Sequence, residues 1–280
     1  MIVQRVITAV ILILVATLVV LFAPAQLFAV LTATLCLGAT WEWSQLAGLV
    51  SPFARAVAVV VLTALFILLW WLRNPVLWLL LLLAGTAWWL LACAWLRHIS
   101  FGAAPTRENR RLKLLAGVFV IVPAWIAIQE LHNNHCLHHN VLWILLVLFT
   151  IWGADTAAYF SGRRFGRRKL APQISPGKTW AGAYAGVPGG MAISVLSGYC
   201  LLGLRGWPLL GLMLLGLLTA VASIVGDLLE SLLKRHARQK DSGSLIPGHG
   251  GLLDRLDSLF AALPIFTLGL LILQHCKVIS

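Results

Sequence analysis

Charged residues are scarce in this chain: Asp, Glu, Lys and Arg make up 11% of its 280 residues, against roughly 25% in a soluble domain. That shortage excludes an ordinary water-soluble globular protein, because too few polar side chains remain to cover a surface. Acids are scarcer still, nine against 21 lysines and arginines. The resulting net charge of +12 is a sum that nucleic-acid binders also reach. In an apolar chain it more often records bases retained on the cytoplasmic side of a membrane, and no nucleic-acid partner is expected. Five cysteines are present without a CxxC pair, which argues against a disulfide or metal-ligand role. Cys36, Cys93, Cys200 and Cys276 sit in or at the ends of apolar runs and are expected to be buried small hydrophobes. The GxxxxGK[ST] spacing of a P-loop is missing, and no internal repeat or low-complexity segment shows itself.

What is abundant is apolar sequence, 60% of the chain. Runs of about 17 to 25 residues recur along its length, the reading for membrane-spanning helices. The candidate spans are Val6–Phe22, Leu27–Leu46, Ala56–Leu72, Val76–Leu96, Leu114–Leu131, Val141–Phe160, Ala181–Leu204, Pro208–Glu230 and Ser258–Cys276. The first reads as a retained span, since no small-residue cleavage site leading to a soluble domain follows it. The expected fold is therefore all-α, a polytopic transmembrane helix bundle of about nine spans. Residues 1–140 would form N-terminal transmembrane spans. Residues 141–280 would form a catalytic transmembrane region with cytoplasmic loops 161–180 and 231–257.

Orientation follows from the bases. With the N-terminus inside, only Arg73, Arg205 and Lys277 of the 21 lysines and arginines fall outside, so the chain is expected to run N-in, C-out. Trp41, Trp43, Trp70, Trp71, Trp180 and Trp207 lie near span ends, where an interfacial aromatic belt accounts for them.

Six of the nine carboxylates, Asp155, Asp227, Glu230, Asp241, Asp254 and Asp257, are in or beside the last two large cytoplasmic loops. Asp155 and Asp227 interrupt apolar runs, where an unpaired carboxylate costs ~2.5–3.5 kcal/mol even on mild insertion scales. Each needs a partner or a metal, and a structural ion pair with an arginine is the plainer reading. Asp227, Glu230, Ser231 and Lys234 are spaced i, i+3, i+4, i+7 and form one polar stripe on a helix. Asp254 and Asp257 repeat the i, i+3 spacing. Oxygen ligands from two helix ends suit a hard cation such as Mg²⁺, which also accepts substrate phosphate. Zinc fits poorly without a cysteine or histidine cluster.

A second polar piece, residues 161–180, ends in Ser175-Pro176-Gly177-Lys178-Thr179. It resembles a phosphate-binding turn with a lysine and a hydroxyl at a helix start, where backbone N–H groups favour anions. The basic run Arg163, Arg164, Arg167, Arg168 and Lys169 is read as a loop held near anionic lipid. His249 stands between glycines, and a structural role and a general-base role both remain open for it. His132, His135, His138 and His139 with Cys136 match no standard metal spacing and read as an incidental polar loop.

From Ser231 to Asp257 the chain reads S-L-L-K-R-x4-K-D-S-G-x3-P-G-H-G-G-L-L-D-R-L-D, which closely resembles the signature of the phosphatidate cytidylyltransferase (CDP-diacylglycerol synthase) family. Ser175–Thr179, the GAD-x3-Y segment at Gly153–Tyr159, and Glu42-Trp43 are similar to that family too. The resemblance is specific in the C-terminal half and rests on hydrophobicity and length elsewhere.

It implies a bacterial-type integral membrane enzyme, a nucleotidyltransferase in phospholipid biosynthesis. Its partners would be the lipid bilayer, CTP and phosphatidic acid, with CDP-diacylglycerol and pyrophosphate as products and Mg²⁺ required. A second, monovalent cation such as K⁺ and a homodimer are compatible with it. By similarity Asp227, Asp254 and Asp257 would hold the metal and act with Lys234 and Arg235 in catalysis. Ser175, Lys178, Thr179, Ser231, Lys240, Asp241, His249, Gly250 and Arg255 would bind substrate. The active site would face the cytoplasm from the inner membrane. Two rival readings stand beside it. A CTP-using lipid-alcohol kinase would transfer the γ-phosphate instead, and a secondary transporter would place polar residues near the bilayer midplane.

Overall fold

In a computed structural model the described residues are 14–133, 140–243, 245 and 250–279. His135, Cys136, His138, His139 and His249, with the beginning of the first apolar run, lie outside them. The chain is almost wholly helical. Residues 14–22 belong to α1, followed by α2 (Ala25–Leu46), α3 (Pro52–Leu72), α4 (Pro75–Arg97), α5 (Arg107–Asn133) and α6 (Asn140–Phe165). A short hairpin of β1 (Lys169–Ala171) and β2 (Ser175–Thr179) precedes α7 (Trp180–Leu201), α8 (Trp207–His236) and α9 (Leu253–His275).

Local chemistry sets the helix ends. Pro52 and Pro75 occupy first-turn positions, where a missing N–H costs nothing and a fixed φ favours the helix. Asn74 caps α4 by accepting the Leu77 N–H at 3.0 Å. Between these two helices Arg73 takes a left-handed φ of 39° and lays its guanidinium 3.6 Å from the centre of the Trp70 ring. That stacking offsets the strain of a non-glycine residue there.

Among the described residues six helices are long and apolar enough to cross a membrane: α3, α4, α5, α8, α9 and residues 141–165 of α6. The chain is an integral membrane protein in which α2, bearing Glu42, and α7, rich in glycine and serine, stand apart from that set. Its surface agrees. Phe22, Phe53, Trp71, Leu90 and Trp207 are each at least 74% exposed, far more apolar area than a water-soluble monomer shows. Trp125, Trp143, Phe28 and Phe266 fill the centre.

Where helices meet closely, side chains are small. A Cβ placed on Gly186 of α7 would come 3.0 Å from the Ala154 carbonyl oxygen and 3.1 Å from the Ala158 Cβ on α6. One on Gly190 would come 2.9 Å from the Ala220 Cβ on α8. Without a hydrophobic drive between helices in lipid, such close approach is the main source of cohesion.

Several expectations change. Residues 161–165 continue α6 and residues 231–236 continue α8, so both polar loops are shorter than the apolar pattern indicates. The remainder of the 161–180 stretch contains an antiparallel hairpin pairing Lys169 with Thr179 and Ala171 with Ser175. Cys36 is buried, but Cys93, Cys200 and Cys276 are exposed, because an apolar residue in a membrane helix can face lipid as readily as core. Trp43 belongs to no interfacial belt. It is 3% exposed and donates its Nε1–H to the Lys113 carbonyl at 2.7 Å. His132 is likewise buried, stacked on Phe28 at 4.1 Å between centroids.

The tightness of the α6–α7 seam is testable. Gly186→Leu should cost about 1–3 kcal/mol through overpacking, read as a lower unfolding midpoint in detergent. Gly177→Ala, where a Cβ meets nothing within 4 Å, should leave the midpoint unchanged. Equal midpoints for the two variants would contradict the packing argument.

Candidate active site

The ends of distant helices meet at one end of the bundle. The end of α2 touches the start of α9, where Leu253 N–H donates to Glu42 Oε2 at 2.8 Å. His236, closing α8, reaches the Ile99 carbonyl just beyond α4 at 2.7 Å. Arg235 Nε–H donates to the Ile174 carbonyl in the hairpin at 3.0 Å. These contacts gather most of the chain's acids in one place.

The helix α8 explains part of the gathering. Its 30 residues extend about 45 Å at ~1.5 Å each, beyond a hydrocarbon layer of ~30 Å. Its last turns can therefore carry Asp227, Glu230, Ser231 and Lys234 on one face, as their spacing requires. Ser231 donates its hydroxyl to Asp227 Oδ1 at 3.2 Å. Lys178 approaches the other carboxylate oxygen, Oδ2, at 2.7 Å.

Lys178 and the Thr179 hydroxyl stand at the start of α7, as the turn reading expects, although Ser175–Thr179 is a strand. Lys178 immediately precedes the cap, and Thr179 starts the helix by accepting the Gly182 N–H at 3.1 Å. A cavity of about 700 Å³ opens here, lined by Asp155, Lys178, Thr179, Asp227 and the glycines at 162, 166, 177 and 182. The glycines leave the hairpin close to α6 and α7, and the pair Lys178–Asp227 stays partly exposed, 24% and 36% for the two side chains.

A second pair is more deeply set. Lys234 Nζ contacts Glu230 Oε2 at 2.7 Å and Asp254 Oδ1 at 2.5 Å, so one ammonium joins α8 to α9. The other oxygen of Asp254 accepts from Ser242 N at 3.0 Å, Ser242 Oγ at 3.0 Å and Gly251 N at 2.9 Å. Gly250, just before, adopts φ 83°, a conformation open to glycine. Ser242 Oγ also lies 2.9 Å from Glu42 Oε2, and its single proton serves one carboxylate at a time. Asp257, one turn along α9, accepts the Ser258 N–H at 2.6 Å and stands within electrostatic reach of Asp227 and Glu230.

The result is a row of six carboxylates, Asp155, Asp227, Asp257, Glu230, Asp254 and Glu42, with two lysines paired into it. Among the described residues no three acid, histidine or cysteine side chains already form a metal cage. Of the other expected site residues, Ser175 sits on β2. Arg235, Lys240, Asp241 and Arg255 are exposed and do not line the Lys178 cavity. Glu42 and Ser242 were assigned no role from sequence, yet Glu42 is 1% exposed and Ser242 is fully buried. A lone acid in the apolar α2 run was the available signal for Glu42.

The two lysines differ in what their loss should cost. Removing one partner of a buried pair costs ~3–5 kcal/mol, while an exposed pair contributes ~1 kcal/mol or less. Glu230 is 2% and Asp254 16% exposed at the side chain. Lys234→Met should therefore lower the unfolding midpoint in detergent well below that of Lys178→Met. The reverse order would refute this division of the row.

The Cytidylyltransferase family matches residues 3–273. The chain is 38% identical to the phosphatidate cytidylyltransferase of Haemophilus influenzae, covering 94% of this chain and 96% of that one. It is 40% identical to that of Pseudomonas aeruginosa over 94% of each chain. Similarity extends to an Arabidopsis thaliana protein named phosphatidate cytidylyltransferase 5, chloroplastic, 48% identical over 41% of this chain and 28% of that protein.

Proposed function

The chain belongs to the Cytidylyltransferase family, and we propose that it transfers the cytidylyl group of CTP to phosphatidic acid, giving CDP-diacylglycerol and pyrophosphate. The observation that carries this reading is the acid row with its two lysines at one end of a bundle of apolar helices. Such a place is open to a lipid from the side and to a nucleotide from water.

In the reaction an oxygen of the lipid phosphate attacks the α-phosphorus of CTP. A new P–O bond forms there, and the bond from the α-phosphorus to the bridging oxygen breaks, so pyrophosphate leaves with the electron pair. The attacking phosphate is already ionised and needs no general base, which leaves His249 without a required proton transfer. Two anions must nevertheless meet, and fixed cations that screen them and steady the departing charge supply most of what such a step needs. Lys178 lines the cavity and is accessible enough to exchange Asp227 for a phosphate. Thr179 and the backbone at the head of α7 offer donors beside it. Lys234 keeps Glu230 and Asp254 in place on their two helices.

The donor chemistry fits Mg²⁺. Six carboxylates against two lysines leave an excess of hard oxygen ligands, and Mg²⁺ takes few protein oxygens while sharing substrate phosphate. Asp227 and Asp257 would hold it, with Asp254 able to add Oδ1 where Lys234 yields it. The ion would supply charge neutralisation at the transferring phosphoryl group. A second, monovalent cation such as K⁺ would suit the remaining negative charge.

We also propose about nine spans with the N-terminus inside and the C-terminus outside, in the bacterial inner membrane with the site facing the cytoplasm. The bias of lysine and arginine supports that orientation, as does the gathering of the polar helix ends. Residues 141–280 would carry most of the chemistry, with Glu42 contributed by the N-terminal half.

The closest alternative, a CTP-dependent lipid kinase, differs in which phosphate moves. Purified protein incubated with phosphatidic acid, Mg²⁺ and CTP labelled at the α- or γ-phosphate separates the two. The α-label should enter a CDP-lipid and the γ-label should leave as pyrophosphate. Transfer of γ-label into lipid with release of CDP would overturn the proposal.

A further inference from the structure

Apart from the acid row, a second cavity of about 630 Å³ opens at the same end of the bundle, between the α2–α3 turn, residues 103–106, the start of α5 and the end of α8. Its ionisable lining is all basic: Arg55, Arg110, Lys113, Arg238 and the imidazole of His236, with no Asp or Glu. Leu46, Leu49 and Val50 make one wall apolar.

Lys113 is the telling residue. It is only 5% exposed, and among the described residues its ammonium enters none of the ion pairs. Its backbone is fixed by the bond from Trp43 to its carbonyl, 2.7 Å long. Arg110 Nε is also buried without a hydrogen-bond partner. Arg55, by contrast, is held in place by the Leu49 carbonyl at 2.8 Å and Gln45 Oε1 at 2.9 Å, beneath the Trp41 ring.

A lysine whose side chain is mostly packed away with no counter-charge beside its ammonium is disfavoured, and like charges around one cavity repel. Both penalties fall when an anion occupies the space. Tetrahedral oxyanions match this set best, because guanidinium and ammonium groups together satisfy several of their oxygens.

We propose that this basic cavity binds a phosphate group at a site separate from the Lys178–Asp227 cavity. The group would come either from free phosphate or from the headgroup of an anionic lipid, whose chains the Leu46–Val50 wall would meet. This site does not depend on the cytidylyl-transfer reading, and the binding test below stands whatever reaction the acid row performs.

The test uses the purified full-length chain and two probes, inorganic phosphate in neutral detergent and phosphatidylglycerol in phosphatidylcholine nanodiscs. At least one probe should bind saturably at one site per chain. A charge-assisted hydrogen bond is worth ~1.5–3 kcal/mol, so Arg110→Gln or Lys113→Met should weaken binding about tenfold or more. Lys113→Arg should retain it. Arg110 is half-buried, so Arg110→Gln decides the matter if Lys113→Met fails to fold. Binding of phosphate assigns a free anion, and binding of the nanodisc lipid alone assigns a headgroup. No saturable binding of either probe, or binding indifferent to both substitutions, would overturn the proposal.

Discussion

Lys234 reaches two carboxylates on different helices, Glu230 one turn earlier on α8 and Asp254 at the start of α9. The distances involved, 2.7 and 2.5 Å, put one positive charge where two acids would otherwise repel each other beneath an apolar bundle. Asp254 in turn collects Ser242 and Gly251, and Ser242 leads to Glu42 on α2. A single ammonium thereby fixes three helix ends and the loop between α8 and α9. Burial makes each link matter. In a low-dielectric setting a satisfied polar network is rigid, and a broken one strands a charge.

Against this fixed side the Lys178 side is built to change. Its ion pair with Asp227 is short but partly exposed, on a five-residue strand rather than in the packed bundle. Glycines surround it and leave a cavity rather than a core. Exchange of one anion for another at such a lysine needs little reorganisation, which is the property a site for phosphoryl compounds requires. The deep pair organises the row, and in the proposed function the shallow pair meets what enters. The cavity near Lys113 is of the opposite sign, lined by bases with no Asp or Glu among them.

Much of this was legible in the sequence where one helix carries the pattern. The i, i+3, i+4, i+7 spacing from Asp227 to Lys234 predicts a shared face, and α8 delivers it with Ser231 bonded to Asp227. Asp254 and Asp257 also fall on one helix start. Long-range partners were not legible. Glu42 meets Ser242 across 200 residues of chain and Leu253 across 211, and no local period reports such a meeting. The hairpin escaped because a three-residue strand, Lys-Leu-Ala, is too short to show an alternation. The exposed cysteines escaped for another reason. Lipid and protein interior are equally apolar, so hydrophobicity alone cannot tell an inward face from an outward one.

The central claim is that Asp227 serves chemistry while Lys234 serves architecture. Measuring turnover and thermal unfolding side by side for Asp227→Asn, in the same detergent as the parent chain, tests it most directly. The account predicts an unfolding midpoint close to the parent's, with CDP-lipid formation reduced on the order of a hundredfold or more. Turnover within a few-fold of the parent, in protein that remains folded, would contradict it.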